Sequence, residues 1–296
     1  MSNLCRGAAV CFLLLPVVLF QACTTTEKPE PDRPRLTRNV VLKDVTFRSA
    51  SLGRDMPYRV ILPATSPQRE PLPVIYLLHG GGGGYRDWTN YSDVARYAES
   101  GFLLVMPEGG SSYYTNAVDP PSDRYEDYIV HDLIADVESR FPVASGRANR
   151  AIVGMSMGGF GAVTLGLRHT DLFTFVGGLS SALDVPRRAF VFKRFHQSRH
   201  FAAIFGPAGS STRRASDPFV LIRAADPEKA PYFFLTCGEQ EGLLPANREF
   251  AALLSQRHFR YEFHTLAGSH DWNQWDTWIP ALFRSISEHM PPAAIR

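Results

Sequence analysis

A strand, a tight turn and a helix around one serine constrain this chain more than any other stretch. The apolar residues Ala151–Val153 lead into Gly154-Met155-Ser156-Met157-Gly158, and a segment with helical character follows. In this context the serine occupies a strained turn, with its hydroxyl clear of the backbone and close to a helix N-terminus that favours negative charge. Side chains at Gly154 and Gly158 would collide where strand and helix cross. The motif therefore predicts that Ser156 is a nucleophile.

A glycine-rich stretch follows an earlier apolar segment. Val74–Leu78 is a continuous apolar run bounded by turn residues, which predicts a strand that is buried on both faces of a sheet. It ends in His79 and the five glycines Gly80–Gly84, and no Gly-Lys-Ser or Gly-Lys-Thr follows, so this is not a Walker phosphate loop. A His-Gly-Gly-Gly pattern after an early strand indicates backbone N–H donors for an oxyanion.

Two late loops contain candidates for the base and the acid that a serine nucleophile needs. His270 lies in the short loop 268–272, after a predicted strand over 259–266. A second loop, over 238–241, follows the predicted strand 232–237. Both loops lie at the carboxyl ends of strands, as Ser156 does. We therefore predict that His270 is the base. The acid stays open among four carboxylates, which are Glu241 and Glu239 on the second loop and the more distant Asp226 and Asp217.

The order of the predicted elements indicates an α/β fold. Two strands, Val40–Arg48 and Tyr58–Leu62, are expected to pair through the turn near Gly53. From Val74 onward, strands alternate with helices, which is typical of a mostly parallel sheet with helices on both faces. The further strands are predicted over 102–106, 173–179, 232–237 and 259–266, and the helices over 92–100, 123–140, 159–169, 246–257 and 275–289.

The segment 184–231 interrupts this alternation and is predicted to be an irregular insertion. It carries nine Lys and Arg residues and only four Asp and Glu residues. One interpretation is an insertion over the site whose cations meet an acidic substrate. The interpretation that we favour is a solvated lobe whose arginine side chains cover apolar surface.

The N-terminal segment is typical of an export signal. Ala8–Phe20 is an apolar run of thirteen residues, shorter than the ~20 residues that span a bilayer. A small residue and a cysteine follow at Ala22-Cys23, so we predict a signal peptide over 1–22 and a lipidated Cys23. A proline-containing tether would extend to residue 38 and the folded domain would cover 39–296. The expected location is the cell envelope of a bacterium, with secretion or a periplasmic location as the alternative.

Composition excludes several classes of function. The formal net charge of +2 is too small to indicate a nucleic-acid partner. Of the four cysteines, Cys5 and Cys11 would leave with the signal peptide and Cys23 would be acylated, so Cys237 remains alone in the predicted domain. A single cysteine offers neither an internal disulfide nor a metal-ligand cluster. We expect no metal and no organic cofactor.

Over residues 55–285 the chain resembles the esterase-D-like branch of the α/β-hydrolases. That branch includes S-formylglutathione hydrolases, feruloyl and acetylxylan esterases, and mycolyltransferases. The resemblance rests on six motifs: Tyr76–Gly80, the pair Asp87-Trp88, Gly154–Gly161, Arg168–Phe173, Cys237–Glu241 with Asn247-Arg248, and Gly268–Trp272.

The resemblance assigns a role to each part of the site. It implies that Ser156 is the nucleophile, that His270 is the base, and that the backbone N–H groups of Gly81 and Met157 form the oxyanion hole. The acid falls on Glu241, where the family usually has aspartate, and Glu239 remains the alternative. An exported serine hydrolase that acts on acetyl, feruloyl or other short-chain esters, some of them linked to carbohydrate, is therefore expected.

Four aromatic residues near these motifs are candidate substrate contacts for a sugar or an aryl acyl group: Trp88, Tyr113, Tyr114 and Trp272. Two rival functions remain open at this stage. An acyltransferase would use the same triad but pass the acyl group to an acceptor other than water. A surface protein that only binds would keep the fold without the chemistry, and the intact Ser156 and His270 argue against it.

Overall fold

The computed structural model describes residues 31–65 and 71–293. From Asp32 onward the chain forms one compact unit. The predicted signal peptide, Cys23 and the predicted tether up to residue 30 lie outside the described residues.

An eight-stranded sheet forms the centre of the molecule, in the order β1-β2-β4-β3-β5-β6-β7-β8. Strands β1 and β2 pair as the predicted hairpin and β2 runs antiparallel to β4, while every later pairing is parallel. The predicted mostly parallel α/β sheet is therefore confirmed. The strands are β1 (Val40–Ser49), β2 (Arg54–Pro63), β3 (Val74–Leu78), β4 (Leu103–Pro107), β5 (Arg150–Met155), β6 (Phe175–Leu179), β7 (Tyr232–Gly238) and β8 (Tyr261–Leu266).

Apolar side chains on both faces of the sheet explain why the central strands read as continuous apolar runs. In β3, Tyr76 and Leu78 belong to one core, whereas Ile75 and Leu77 belong to the core on the other face. All five residues of β3 are buried. A strand that is covered on both faces cannot alternate between apolar and polar residues.

Helices cover both cores. The described helices are α1 (Asp87–Tyr91), α2 (Tyr125–Asp127), which continues through a π-helical stretch (Tyr128–Leu133) into α3 (Ile134–Arg140), and α4 (Met157–Arg168), α5 (Phe195–Phe205), α6 (Ser211–Ala215), α7 (Pro218–Ala224), α8 (Leu244–Gln256) and α9 (Trp272–His289). A 3₁₀ turn, Val94–Ser100, replaces the helix predicted over 92–100. Within the described ranges, no helix combines the length and the apolar character that a membrane span requires.

A buried arginine extends the compact unit to an earlier residue than the predicted start at residue 39. The Arg59 side chain is fully buried, and its guanidinium donates hydrogen bonds to the carboxylates of Asp44 and Asp32 and to the hydroxyl of Thr89. The shortest of these bonds, to Asp32, is 2.6 Å long. Asp32 is thus fixed to β2 because an unpaired buried guanidinium would be costly.

The segment 184–231 leaves the strand–helix alternation, as predicted, but it is helical rather than irregular. It contains α5, α6 and α7 and two 3₁₀ turns. Local capping explains the two short helices: the Ser210 hydroxyl accepts the N–H of Arg213, and the Asp217 carboxylate accepts the N–H of Phe219. We call residues 184–231 the helical lobe.

Two arginines of the helical lobe favour the second interpretation of its charge. The Arg187 guanidinium lies 3.4 Å from the ring centroid of Phe219. Arg213 is buried and donates to the backbone carbonyls of Pro186 and Arg188, at 3.0 and 2.9 Å. These cations cover apolar surface and tie the lobe together.

The crossing of β5 and α4 leaves no room for side chains at two glycines. A Cβ atom on Gly154 would lie 2.2 Å from the backbone carbonyl of Gly158. One on Gly158 would lie 2.3 Å from the carbonyl oxygen of Leu78 at the end of β3. Backbone atoms cannot rotate away, so both positions require glycine.

We predict that Gly158→Ala lowers the free energy of unfolding by about 3 kcal/mol, since the added methyl group forces α4 away from β3. This corresponds to a fall in Tm of roughly 6–12 °C for a domain of this size, measured by differential scanning calorimetry. Gly242→Ala is the matched control, because nothing lies within 4 Å of the Cβ that it would add. Equal Tm values for the two variants would contradict the tight crossing.

Candidate active site

Ser156 occupies a strained backbone conformation between β5 and α4. Its φ of 54° and ψ of −113° lie outside the regions that residues other than glycine prefer. Three hydrogen bonds hold the turn: the Ser156 N–H donates to the carbonyl of Leu179, and its carbonyl accepts the N–H groups of Phe160 and Ala182. The hydroxyl stands at the carboxyl end of β5, at the point where the strand order reverses between β3 and β5.

The predicted base and one predicted acid lie in line with this hydroxyl. His270 Nε2 is 2.8 Å from Ser156 Oγ, and His270 Nδ1 is 2.7 Å from Glu241 Oε2. The three residues follow β5, β7 and β8, whose carboxyl ends meet at one edge of the sheet. An ionised carboxylate only accepts hydrogen bonds, so Nδ1 carries the proton and Nε2 can accept the serine hydroxyl.

Hydrogen bonds keep Glu241 ionised although it is buried. Burial raises the pKa of its carboxyl group, but hydrogen bonds from His270, Ser180 and the Gly238 N–H outweigh it, so the net pKa is lowered. Oε1 accepts from Ser180 Oγ at 2.6 Å and from the Gly238 N–H at 2.8 Å. Because the folded-state pKa is lowered, the resulting stability is present near neutral pH and is lost as the pH falls through that pKa.

Ser180 and Trp275 belong to the same hydrogen-bond chain, and the sequence analysis missed both. The Trp275 indole N–H donates to Ser180 Oγ at 3.0 Å, and Ser180 Oγ donates to Glu241. Ser180 has a φ of 48° directly after β6, and its N–H donates to the carbonyl of Thr236. Its position at the carboxyl end of a parallel strand was the available signal, since β3, β5, β7 and β8 carry site residues at the same edge of the sheet.

The other candidate acids lie elsewhere. Glu239 is exposed and accepts a hydrogen bond from the Thr265 hydroxyl. Asp217 caps α7 and pairs with Arg187, and Asp226 accepts the N–H of Glu228. Of the four carboxylates considered from the sequence, the structure brings Glu241 to His270.

The glycine loop and the N-terminus of α4 face each other beside the serine. A Cβ atom on Gly81 would lie 4.0 Å from Met157 Cβ, and Met157 is the first residue of α4. The first N–H groups of a helix have no acceptor within it, which makes them available to an anion. His79 braces the loop: its Nε2 accepts the Gly109 N–H at 2.9 Å, so Nδ1 donates to the carbonyl of Gly80.

An open cavity of about 480 Å³ adjoins Ser156 and His270. Glycines 80–83 form one wall, and Tyr91, Trp272 and Trp275 contribute aromatic surface. No residue of the helical lobe lines it, so the basic side chains of the lobe do not meet a substrate in this cavity.

The four predicted aromatic contacts differ in their surroundings. Trp272 lines the cavity and stacks on Tyr91, with 5.5 Å between ring centroids. Trp88 and Tyr114 are fully buried, and their polar atoms donate to the backbone carbonyls of Leu78 and His79. Neither can touch a substrate in this structure, which corrects the prediction for these two to a packing role. Tyr113 packs edge-on against three phenylalanines, Phe160 of α4 and Phe201 and Phe205 of the lobe, with at most 5.7 Å between ring centroids.

Two further groups bear on the chemistry. Cys237 is buried at the end of β7, and burial raises the pKa of its thiol to about 12, so it stays protonated. In the ranges 31–65 and 71–293, no three His, Cys, Asp or Glu side chains are arranged to hold a metal ion.

Comparison with known proteins identifies the family. Residues 49–288 match the Esterase family, described as "Putative esterase". An acetyl esterase from Caldicellulosiruptor saccharolyticus is 27% identical, over 84% of this chain and 99% of its own length.

Two solved structures from Staphylococcus aureus share the fold. A substrate-bound fluorophosphonate-binding serine hydrolase superposes with a TM-score of 0.72 at 27% identity, covering 85% of this chain and 98% of the solved chain. An S-formylglutathione hydrolase has a TM-score of 0.70 at 25% identity, covering 85% and 99%. The chain belongs to the Esterase family and is a serine ester hydrolase of the α/β-hydrolase fold.

Proposed function

We propose that the chain hydrolyses esters of acetyl and other short acyl groups through Ser156, His270 and Glu241. The observation that carries this proposal is the continuous hydrogen-bond line from Glu241 through His270 to Ser156, with distances of 2.7 and 2.8 Å. The likeness to an acetyl esterase supports the substrate class.

The roles follow from the protonation states. The Ser156 hydroxyl attacks the acyl carbon while His270 Nε2 takes its proton, and Glu241 stabilises the imidazolium that forms. The N–H groups of Gly81 and Met157 donate to the oxyanion, a contribution of ~3–4 kcal/mol where one such donor has been removed.

The tetrahedral intermediate that this attack forms then breaks down, and the acyl-enzyme that results is hydrolysed. His270 passes its proton to the alcohol oxygen as the ester C–O bond breaks, which leaves an acyl group on Ser156. Water attacks this acyl-enzyme with His270 again as the base, releasing the carboxylic acid and restoring the serine. An acceptor alcohol in place of water would make the same site an acyltransferase.

The cavity supports esters with a bulky or carbohydrate alcohol. It is open to solvent beside the nucleophile, and the partly exposed Trp272 offers a ring face against which a sugar can stack. We propose Trp272 as a substrate contact on this basis, and a feruloyl group would use the same surface.

Ser156→Ala is expected to lower kcat/KM by at least about 10⁴-fold, because the nucleophile is lost while binding persists. The measurement is the initial rate on the p-nitrophenyl esters of acetate, butyrate, octanoate and ferulate, and we expect acetate to be turned over fastest. Ser269→Ala, an exposed serine beside His270, is the matched control. Equal turnover by Ser156→Ala and the unchanged protein would refute the serine mechanism, and transfer to an added alcohol in preference to water would favour the acyltransferase.

Glu241→Gln is expected to reduce kcat by roughly 10³–10⁴-fold, because the amide can donate to Nδ1 and so favours the wrong histidine tautomer. Its oxygen can still accept from Ser180 and Gly238, which preserves the local structure. Glu239→Gln should stay within about twofold of the unchanged protein, since this side chain contacts Thr265 instead. A large loss in Glu239→Gln with none in Glu241→Gln would reverse the assignment of the acid.

We further propose that the protein is exported and anchored through Cys23, on the support of the N-terminal sequence alone. If so, cells fed a radiolabelled fatty acid should incorporate label into the chain, and Cys23→Ser should abolish it. Secretion of unlabelled, unchanged protein into the medium or the periplasm would favour the alternative without an anchor.

A further inference from the structure

A row of exposed phenylalanines marks one surface of the helical lobe. Nine large hydrophobic residues in the described ranges are exposed, and four of them fall within six consecutive positions: Phe190 (53%), Val191 (45%), Phe192 (82%) and Phe195 (41%). The rings are contiguous, with centroid distances of 6.2 Å between Phe190 and Phe195 and 6.4 Å between Phe192 and Phe195. We call residues 189–197, all of them exposed, the phenylalanine surface.

This surface is not loosely attached. The Ser198 hydroxyl accepts the N–H of Val191 at 3.1 Å and donates to the carbonyl of the same residue. Behind it, Phe201, Ile204 and Phe205 of α5 are buried in the core of the lobe. The exposed rings are therefore held outward by a packed helix. They expose a contiguous apolar area to solvent, which is unfavourable for a protein that stays monomeric in water.

Basic residues accompany the rings and acidic residues are missing. The stretch 185–216 contains seven of the chain's 31 Lys and Arg residues and none of its 29 Asp and Glu residues. Lys193, Arg194 and Arg199 are exposed, and none of them forms an ion pair within the described part of the chain. The Arg199 guanidinium lies over the Phe195 ring, 5.6 Å from its centroid. Cations and rings thus share one patch.

The chemistry of Ser156 does not use this patch. None of its residues lines the cavity beside Ser156, and the mechanism proposed above needs none of them. A role in contacting a partner explains both the exposed rings and the unpaired cations.

We propose that the phenylalanine surface docks on an anionic phospholipid bilayer. Exposed aromatic rings enter the boundary between head groups and acyl chains, while Lys and Arg side chains beside them reach the phosphate level. Phe192, Lys193, Arg194 and Phe195 are consecutive and all exposed, so both kinds of group belong to the same surface. An acidic peptide or polymer would be bound by the cations alone and leaves the three rings unexplained.

This docking is separate from the proposed lipid at Cys23 and from ester hydrolysis. The test therefore uses residues 32–296, which lack Cys23. This unit contains both cores of the sheet, and it corresponds to nearly the whole length of the two solved relatives.

The experiment measures cosedimentation with sucrose-loaded vesicles of phosphatidylcholine alone and of phosphatidylcholine with roughly 30 mol% phosphatidylglycerol, which gives the surface a negative potential. We expect binding to the mixed vesicles to exceed binding to neutral vesicles by at least about 100-fold and to fall as salt rises. Lys193→Glu/Arg194→Glu should remove most of this preference. Phe192→Ser should weaken binding to the mixed vesicles by at least about tenfold.

Matched controls lie elsewhere on the domain. Val220→Ser removes another exposed apolar side chain, 42% accessible, and Arg284→Glu reverses an exposed cation on α9. Both should bind the vesicles as the unchanged domain does. A variant that turns over p-nitrophenyl acetate at the unchanged rate is folded. If the unchanged domain itself shows no turnover, the proposed hydrolysis is refuted, but the docking proposal is not affected.

Three outcomes would overturn the docking proposal. Equal binding to neutral and anionic vesicles would remove the role of the cations. Unchanged binding by the variants of the phenylalanine surface would place the contact elsewhere. Self-association of the domain in analytical ultracentrifugation, abolished by Phe192→Ser and without any vesicle binding, would assign the surface to a second copy of the chain.

Discussion

The close crossing of β5 and α4 is the constraint on which the whole site depends. Because Gly154 and Gly158 lack side chains, α4 begins directly over the ends of β3 and β5. The N-terminus of the helix, the glycine loop after β3 and the strained Ser156 are thereby brought to one place. Any side chain at the crossing would separate Met157 from Gly81, which come from distant parts of the chain.

The strain at Ser156 is compensated locally. A non-glycine residue in such a conformation costs on the order of 1–3 kcal/mol. The three backbone hydrogen bonds to Leu179, Phe160 and Ala182 offset this cost and also fix the direction of the hydroxyl. On the acid side, Ser180 has a positive φ as well, and its hydroxyl joins Trp275 to Glu241. The nucleophile and the acid are therefore both positioned by residues with unusual backbone conformations, Ser156 itself at one end of the triad and Ser180 at the other.

The sequence could predict what local motifs encode. The Gly-x-Ser-x-Gly turn and the glycine loop can be recognised in the sequence because few other residues fit such turns. The loop with His270 can be located because it follows a recognisable strand. Ser180 and Trp275 could not be predicted, since their roles arise only when β6 and α9 pack beside Glu241. Trp88 failed as a predicted substrate contact for a similar reason: it is buried in a core to which distant parts of the chain contribute, and the ring of Trp272 packs against it with 5.5 Å between centroids.

The helical lobe shows how one composition can serve two purposes. Its basic residues looked equivalent in sequence, yet the fold sorts them by partner. Arg213 is buried among backbone carbonyls, and Arg187 lies on a phenylalanine ring between two carboxylates. Within residues 31–65 and 71–293, Lys193 and Arg194 have no such partner, and they lie beside exposed rings. Stability of the lobe accounts for the first pair, whereas the second pair and its phenylalanines add nothing to the packed interior. An exposed apolar surface that contributes nothing to the core of the domain is explained by a partner outside the chain. Because the phenylalanine surface is separate from the Ser156 cavity, hydrolysis can continue while that partner is bound.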